Sequence, residues 1–178
     1  MKTIDDFYIM GNPRRNGLGF IWLMESPKIR WNFYHPELVP QKVDKYHNHQ
    51  RSFISTIYKG RFCNQRAKLI NGDKQVKTIN CVENNSTGFT STVWKDNVAI
   101  EKLEIERYIN GDAYSMSAKE YHRAWAEAPT ITRLEVYGNE NEPGLAVYDK
   151  DEEIICPIKD FRYPHDLCWD VIREVLYA

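Results

Sequence analysis

At 178 residues the chain is long enough for one domain with a real core, since folding at this length hides roughly 70% of the surface the unfolded chain exposes. Lys and Arg number 24 against 25 Asp and Glu, scattered and not gathered into a stripe, so nucleic acid is not an expected partner. No apolar stretch approaches the roughly 20 residues of a membrane helix, and "MKTIDDFYIMGNPRRNG" carries acids where a secretory peptide needs a clean apolar run, so the expectation is a cytoplasmic protein with no membrane partner.

Short runs rich in β-branched and aromatic residues then follow one another, with turn residues between them: LGFIWLM (18–24), IRWNFY (29–34), SFISTIY (52–58), RFCNQRAKLI (61–70), QVKTINCV (75–82), KLEIERYI (102–109), TITRLEVYG (130–138) and GLAVY (144–148). That rhythm predicts an all-β sandwich or barrel. Asn71-Gly72 and Asn110-Gly111 supply the two residues tolerant of positive φ that a tight hairpin needs, and both are expected to be hairpins. The polar stretch VENNSTGFTST (82–92) is expected to be a mobile excursion. Cys63, Cys81, Cys156 and Cys168 lie far apart, without the C-x-x-C of a zinc or redox site, and are expected to be reduced and mostly buried. In the tail, HDLCWDVIREVLYA places Leu167, Val171 and Val175 on one helical stripe and Cys168, Ile172 and Leu176 beside it. Asp170, Arg173 and Glu174 face away, which predicts an amphipathic helix packed outside the β body. His165 and Asp166 belong to its start, and His35, before a proline at a strand end, reads as a solvent-side residue.

The segment YHNHQRSFISTIYKG (46–60) carries the chemistry. On a strand, residues two apart share a face, so His47 and His49 can aim at one point, with Arg51, Phe53, Ser55 and Ile57 continuing that face. Arg51, Phe53 and Ser55 are therefore candidates to touch a substrate. Ser52, Ile54, Thr56 and Tyr58 take the other face, and Gly60 ends the strand. H-N-H nucleases share only the letters, because they draw those residues from separate elements. Taken alone, an H-x-H pair is equally compatible with a surface coincidence.

Downstream, NGDAYSMSAKEYHRAW gives a Gly-Asp corner followed ten residues later by His122. The two segments together resemble the paired motifs of the cupin superfamily, with His47, His49 and Gly60 in the first and Gly111, Asp112 and His122 in the second. The resemblance implies a jelly-roll barrel of the double-stranded β-helix type in one domain over 1–178: N-terminal strands in 1–45, the barrel core in 46–160, the helix in 161–178. It also implies a possible homodimer. Two departures stand out. No carboxylate follows H-x-H in the stretch Gln50 to Ile54, and MSAKEY replaces the Pro-x-Gly turn before the last histidine.

A metal would therefore be held by three imidazoles, His47, His49 and His122. Such a set leaves positions open for substrate and oxygen or water and leaves the ion's charge unneutralised, which favours anionic ligands such as thiolates, carboxylates or enolates. The expected cofactor is a divalent metal, Fe(II) first, with Ni, Mn, Cu or Zn as alternatives. Among cupins the chain is most similar to thiol dioxygenases, which also lack the first-motif glutamate. That likeness implies a non-haem iron dioxygenase acting on a small anionic molecule, or a non-catalytic relative that binds or senses one. By the same alignment Tyr137 matches the relay tyrosine, with Glu135 where a histidine would be and Arg133 where a serine would be. Tyr137 and Glu135 are thus catalytic candidates and Arg133 a candidate carboxylate anchor, while Arg133 and Glu135 also read as a plain ion pair. Trp31 and Trp125 are candidates for aromatic walls of a pocket.

Overall fold

The structure is a computed structural model that describes residues 2–16, 18–39, 45–80, 91–142, 144–149 and 164–178. Its elements are α1 (Ile4–Tyr8), β1 (Arg14–Asn16), β2 (Phe20–Ser26), β3 (Ile29–Tyr34), β4 (Phe53–Lys59), β5 (Arg61–Asn80), β6 (Ser91–Ile109), β7 (Ala113–Met116), β8 (Tyr121–Ala126), β9 (Thr130–Val136), β10 (Leu145–Asp149) and α2 (His165–Tyr177). All strand pairs are antiparallel. The first sheet runs β1-β2-β3-β9-β4-β7; in the second, β5 lies between β6 on one edge and β10 and β8 on the other. The all-β body with an external C-terminal helix is the architecture expected from the sequence.

Both faces of the first sheet are covered. On the inner face, Phe20, Tyr34, Phe53, Ile57 and Leu134 pack with Tyr114 and Met116 and, from the second sheet, Phe62 and Ala126. On the outer face, Ile21, Leu23, Trp31, Phe33 and Ile131 meet Phe7 of α1 and the apolar side of α2, where Ile172 and Val175 are fully buried. Each such aliphatic side chain contributes roughly 1.5–3 kcal/mol by leaving water. The α2 stripe holds except at its first position: Leu167 is exposed, because the helix meets the sheet only from Cys168 onward. Helix α1 was not expected; Thr3 and Asp6 cap it reciprocally, each side chain accepting from the other's backbone N–H.

Neither Asn-Gly pair is a hairpin. Asn71-Gly72 lies inside β5, at an irregularity where Asn71 and Lys74 both face Val98. A Cβ on Gly72 would stand 2.5 Å from the Ala99 side chain, so glycine serves close approach of two strands there. Asn110-Gly111 does turn the chain, with Gly111 at φ 94°, but it leads from β6 in the second sheet to β7 in the first. Residues 82–90 of the expected excursion lie outside the described residues, and Ser91 and Thr92 begin β6. Cys63 and Cys168 are free and buried; Cys81 and Cys156 lie outside the described residues. Among the described residues no helix is long and apolar enough to cross a membrane.

Candidate metal centre and ligand cavity

The histidine pair does not lie on β4. Residues 46–48 enter the second sheet in the gap between β8 and β10: His47 exchanges backbone hydrogen bonds of 2.8 Å with His122 on β8, and Val147 N–H donates to Tyr46 O. The chain then crosses to the first sheet, where β4 begins at Phe53. Asn48, between the two histidines, is buried and fastened to β10, its N–H donating to Leu145 O and its side-chain oxygen accepting from Leu145 N–H. The strand-like alternation thus holds locally, with Asn48 bracing the segment while its neighbours reach the cavity.

His47, His49 and His122 converge. One ring nitrogen from each lies within 4.8 Å of the others, and the ring centroids are 4.8 to 5.0 Å apart. The Nε2 atoms of His49 and His122 are 2.8 Å apart. Nδ1 of His47 is 2.9 Å from the carbonyl oxygen of Lys45, and Nδ1 of His122 is 2.6 Å from Oδ1 of Asn64. Oxygens of this kind only accept, so each Nδ1 carries the proton and each Nε2 presents a lone pair. Asn64 is itself oriented, because its Nδ2 donates to Glu106 at 2.7 Å and Glu106 is held by Arg66. Burial, then His47 and Arg30, hold His49 well below the ordinary histidine range; burial, then His47, His49 and Arg66, do the same to His122. Neutral imidazoles are what a divalent ion requires; His47 and His122 present bare Nε2 atoms, while His49 Nε2 donates to His122 Nε2, a tautomer that an ion would reverse.

Phe53 meets His49 edge-on at 4.7 Å and fixes its ring from the first sheet. Ile57 N–H donates to Asp112 O and Gly111 N–H to Ile57 O, so the Gly-Asp corner docks on β4. The turn before His122 closes through Glu120, whose carboxylate accepts from Ser117 N–H at 2.7 Å in place of a proline-built turn.

The three rings border a cavity of 530 Å³ between the sheets. Phe53, Ser55 and Arg51 line it, and Ile57, which shares their face by alternation, does not. Arg133, Glu135 and Tyr137 do not. Leu134 and Val136 are the β9 side chains that face inward, while Arg133 pairs with Glu135 at 2.9 Å and Glu25 at 3.8 Å on the outer side, and Tyr137 is 42% exposed. The reason is register: β9 lies between β3 and β4, and Leu134 faces Ser55 and Arg30 across the sheet, which commits the odd-numbered residues to the opposite face. Trp31 and Trp125 are likewise outside the cavity; Trp31 donates to Glu25, and Trp125 lies under the Arg123 guanidinium. Trp22, Arg30, Asn32 and Tyr34, which do line the cavity, were not anticipated.

The antiparallel two-sheet body and its three-histidine cluster are the features that the resemblance in the sequence implied. No family model matches the sequence, and no curated protein matches it. Two solved structures overlap with it in part. Hydroquinone 1,2-dioxygenase from Sphingomonas sp. TTNP3, with 4-hydroxybenzoate bound, is 10% identical with a TM-score of 0.33, over 65% of this chain and 64% of that one. The E. coli protein ycfD is 13% identical with a TM-score of 0.38, over 84% of this chain and 39% of that one. The chain therefore spans less than two thirds of either, and overlap this loose leaves its chemistry to be read from its own residues.

Proposed function

We propose that this chain is a metal-dependent cupin whose three-histidine centre, taking Fe(II) by preference, binds a small anionic molecule and acts on it as a dioxygenase. One observation supports the anionic ligand above others. Among the described residues the cavity is lined by Lys28, Arg30, Lys45 and Arg51 and by no carboxylate. With three neutral imidazoles as the protein ligands, a bound divalent ion would add a Lewis acid and open coordination positions to a wall that is already cationic. His47 and His122 are held by hydrogen bonds and His49 by Phe53, so the three donors are gathered around one point by the fold itself.

The same observation favours a second reading, a non-catalytic cupin that binds or senses its ligand. Without Asp or Glu in the described wall, proton transfer would fall to tyrosine. Burial pushes Tyr34 up to about 12 and Tyr114 higher still, which leaves both as neutral phenols. Metal analysis of the purified protein after anaerobic loading with Fe(II) is expected to give one ion per chain, lost in His47→Ala and His122→Ala. A metal-free wild type overturns the first reading and leaves the second only as ligand binding without an ion. Oxygen uptake by the loaded protein with a panel of small thiols and carboxylates separates them: consumption supports the enzyme, and binding without consumption supports the sensor.

A further inference from the structure

The inner face of β3 carries Arg30, Asn32 and Tyr34 into the cavity, while Trp31 and Phe33 pack outward against the helices. Two of these inner groups have an unpaired polar atom. Nε of Arg30 is buried without a hydrogen bond, and no carboxylate pairs with its guanidinium among the described residues. Asn32 is 2% exposed and donates through Nδ2 to Thr132 Oγ1 at 3.0 Å, yet its Oδ1 accepts nothing. A buried acceptor left unmade costs about 1–3 kcal/mol, and a half-buried cation at the cavity wall is also penalised when it has no counter-charge. Both penalties vanish if a ligand brings an anion and a hydrogen-bond donor.

Sheet register orders these groups along the cavity. Phe53, which touches His49, faces Val136, and Val136 N–H bonds to Lys28 O. One row further from the histidines come Arg30, Leu134, Ser55 and Tyr114; one row beyond that, Asn32, Thr132 and Ile57. Rows two residues apart on a strand are separated by roughly 6.6 Å. The walls between are aromatic, with Phe20, Tyr34, Phe62 and Tyr114 closing on one another and the Arg30 guanidinium 5.6 Å from the Phe20 ring. A cavity of 530 Å³ walled this way suits a flat ring system and is large for a small aliphatic thiol.

We propose that the cavity takes an aromatic carboxylate bearing a hydroxyl or amine at its far end, the carboxylate paired with Arg30 beside the histidines and the donor on Asn32 Oδ1. The inference rests on the reading of this cavity as the ligand chamber of the metal centre, and it replaces Arg133 by Arg30 as the anion anchor.

The test is calorimetric titration of full-length, Fe(II)-loaded protein under anaerobic conditions with 6-hydroxy-2-naphthoate, 2-naphthoate and 6-hydroxy-2-naphthamide, with metal content measured on each sample. The hydroxy acid is expected to bind at least tenfold more tightly than the amide, and several-fold more tightly than the acid without the hydroxyl. Arg30→Met, which keeps the apolar stem, is expected to lose the preference for acid over amide, and Asn32→Ala the preference for the hydroxyl alone. Equal affinity for acid and amide in the wild type overturns the proposal without any variant. So does an unchanged preference in a folded Arg30→Met. Arg30-dependent acid binding by a protein that holds no metal supports the proposal while sinking the metal reading; a metal-loaded protein indifferent to the carboxylate does the reverse.

Discussion

Asn64 shows what a single side chain does at this centre. It is fully buried on β5, accepts from His122 and donates to Glu106, so its amide has one orientation and dictates which imidazole nitrogen stays bare. Groups in this position typically govern metal affinity by 10–100-fold. Asn64→Leu, close in volume but without the acceptor, is therefore expected to weaken Fe(II) binding by roughly 10–100-fold. Competition against a chelator of known affinity measures this, with circular dichroism to confirm an intact fold. Nothing in RFCNQRAKLI marks Asn64 in advance, because one polar residue in a strand reads the same whether it faces water or a histidine. His47, His49 and His122 were legible because their spacing and order matched paired motifs; their supports, Asn48 and Asn64, belong to no motif.

At the scale of elements, Gly60 joins β4 to β5 at φ 84°, and a Cβ there would stand 2.3 Å from Pro129 O and 2.4 Å from Thr130 Oγ1. Backbone oxygen cannot swing aside as a flexible side chain does. Gly60→Ala is expected to cost about 2–4 kcal/mol, from the left-handed backbone and the clash together. The thermal midpoint should then fall by roughly 5–12 °C at this chain length. At Gly111, φ is 94° but a Cβ meets nothing within 4 Å, so the same substitution should cost only about 1–2 kcal/mol. Thermal melts of the two variants check the contrast, and equal shifts would remove the steric argument. The run IRWNFY gave β3 to the residue, yet it could not say which face was which. Alternation predicts two faces, and here each is covered, Trp31 and Phe33 by helices and Arg30 and Asn32 by the opposite sheet. The likeness to thiol dioxygenases made Arg133 and Glu135 site candidates, and the register of β9 sets them on the outer face as the ion pair that was the other reading.

Across the whole molecule, the histidine triad ties the segment at 47–49 to β8, which lies more than 70 residues further along the chain and is paired to β5 in the second sheet. An ion bound only by the folded chain stabilises it by about 2.7 kcal/mol when free metal is a hundredfold above its dissociation constant. Fe(II) should accordingly raise the midpoint of the wild type by roughly 5–10 °C, reversibly by chelator, and leave His122→Ala unmoved. Scanning fluorimetry under anaerobic conditions reads this. A shift that survives in His122→Ala would place the ion elsewhere.

By itself the sequence determined the all-β body, the position of most strands, the helix against its outside and the three imidazoles, because period-2 and period-3.6 patterns and short motifs are local properties of a chain. Tertiary structure decided the rest. Asn71-Gly72 became close contact between strands and not a turn, and β9 turned Leu134 inward in place of Arg133, since register is set by the neighbours a strand finds. The unpaired Nε of Arg30 and Oδ1 of Asn32 emerged only when two sheets closed over them.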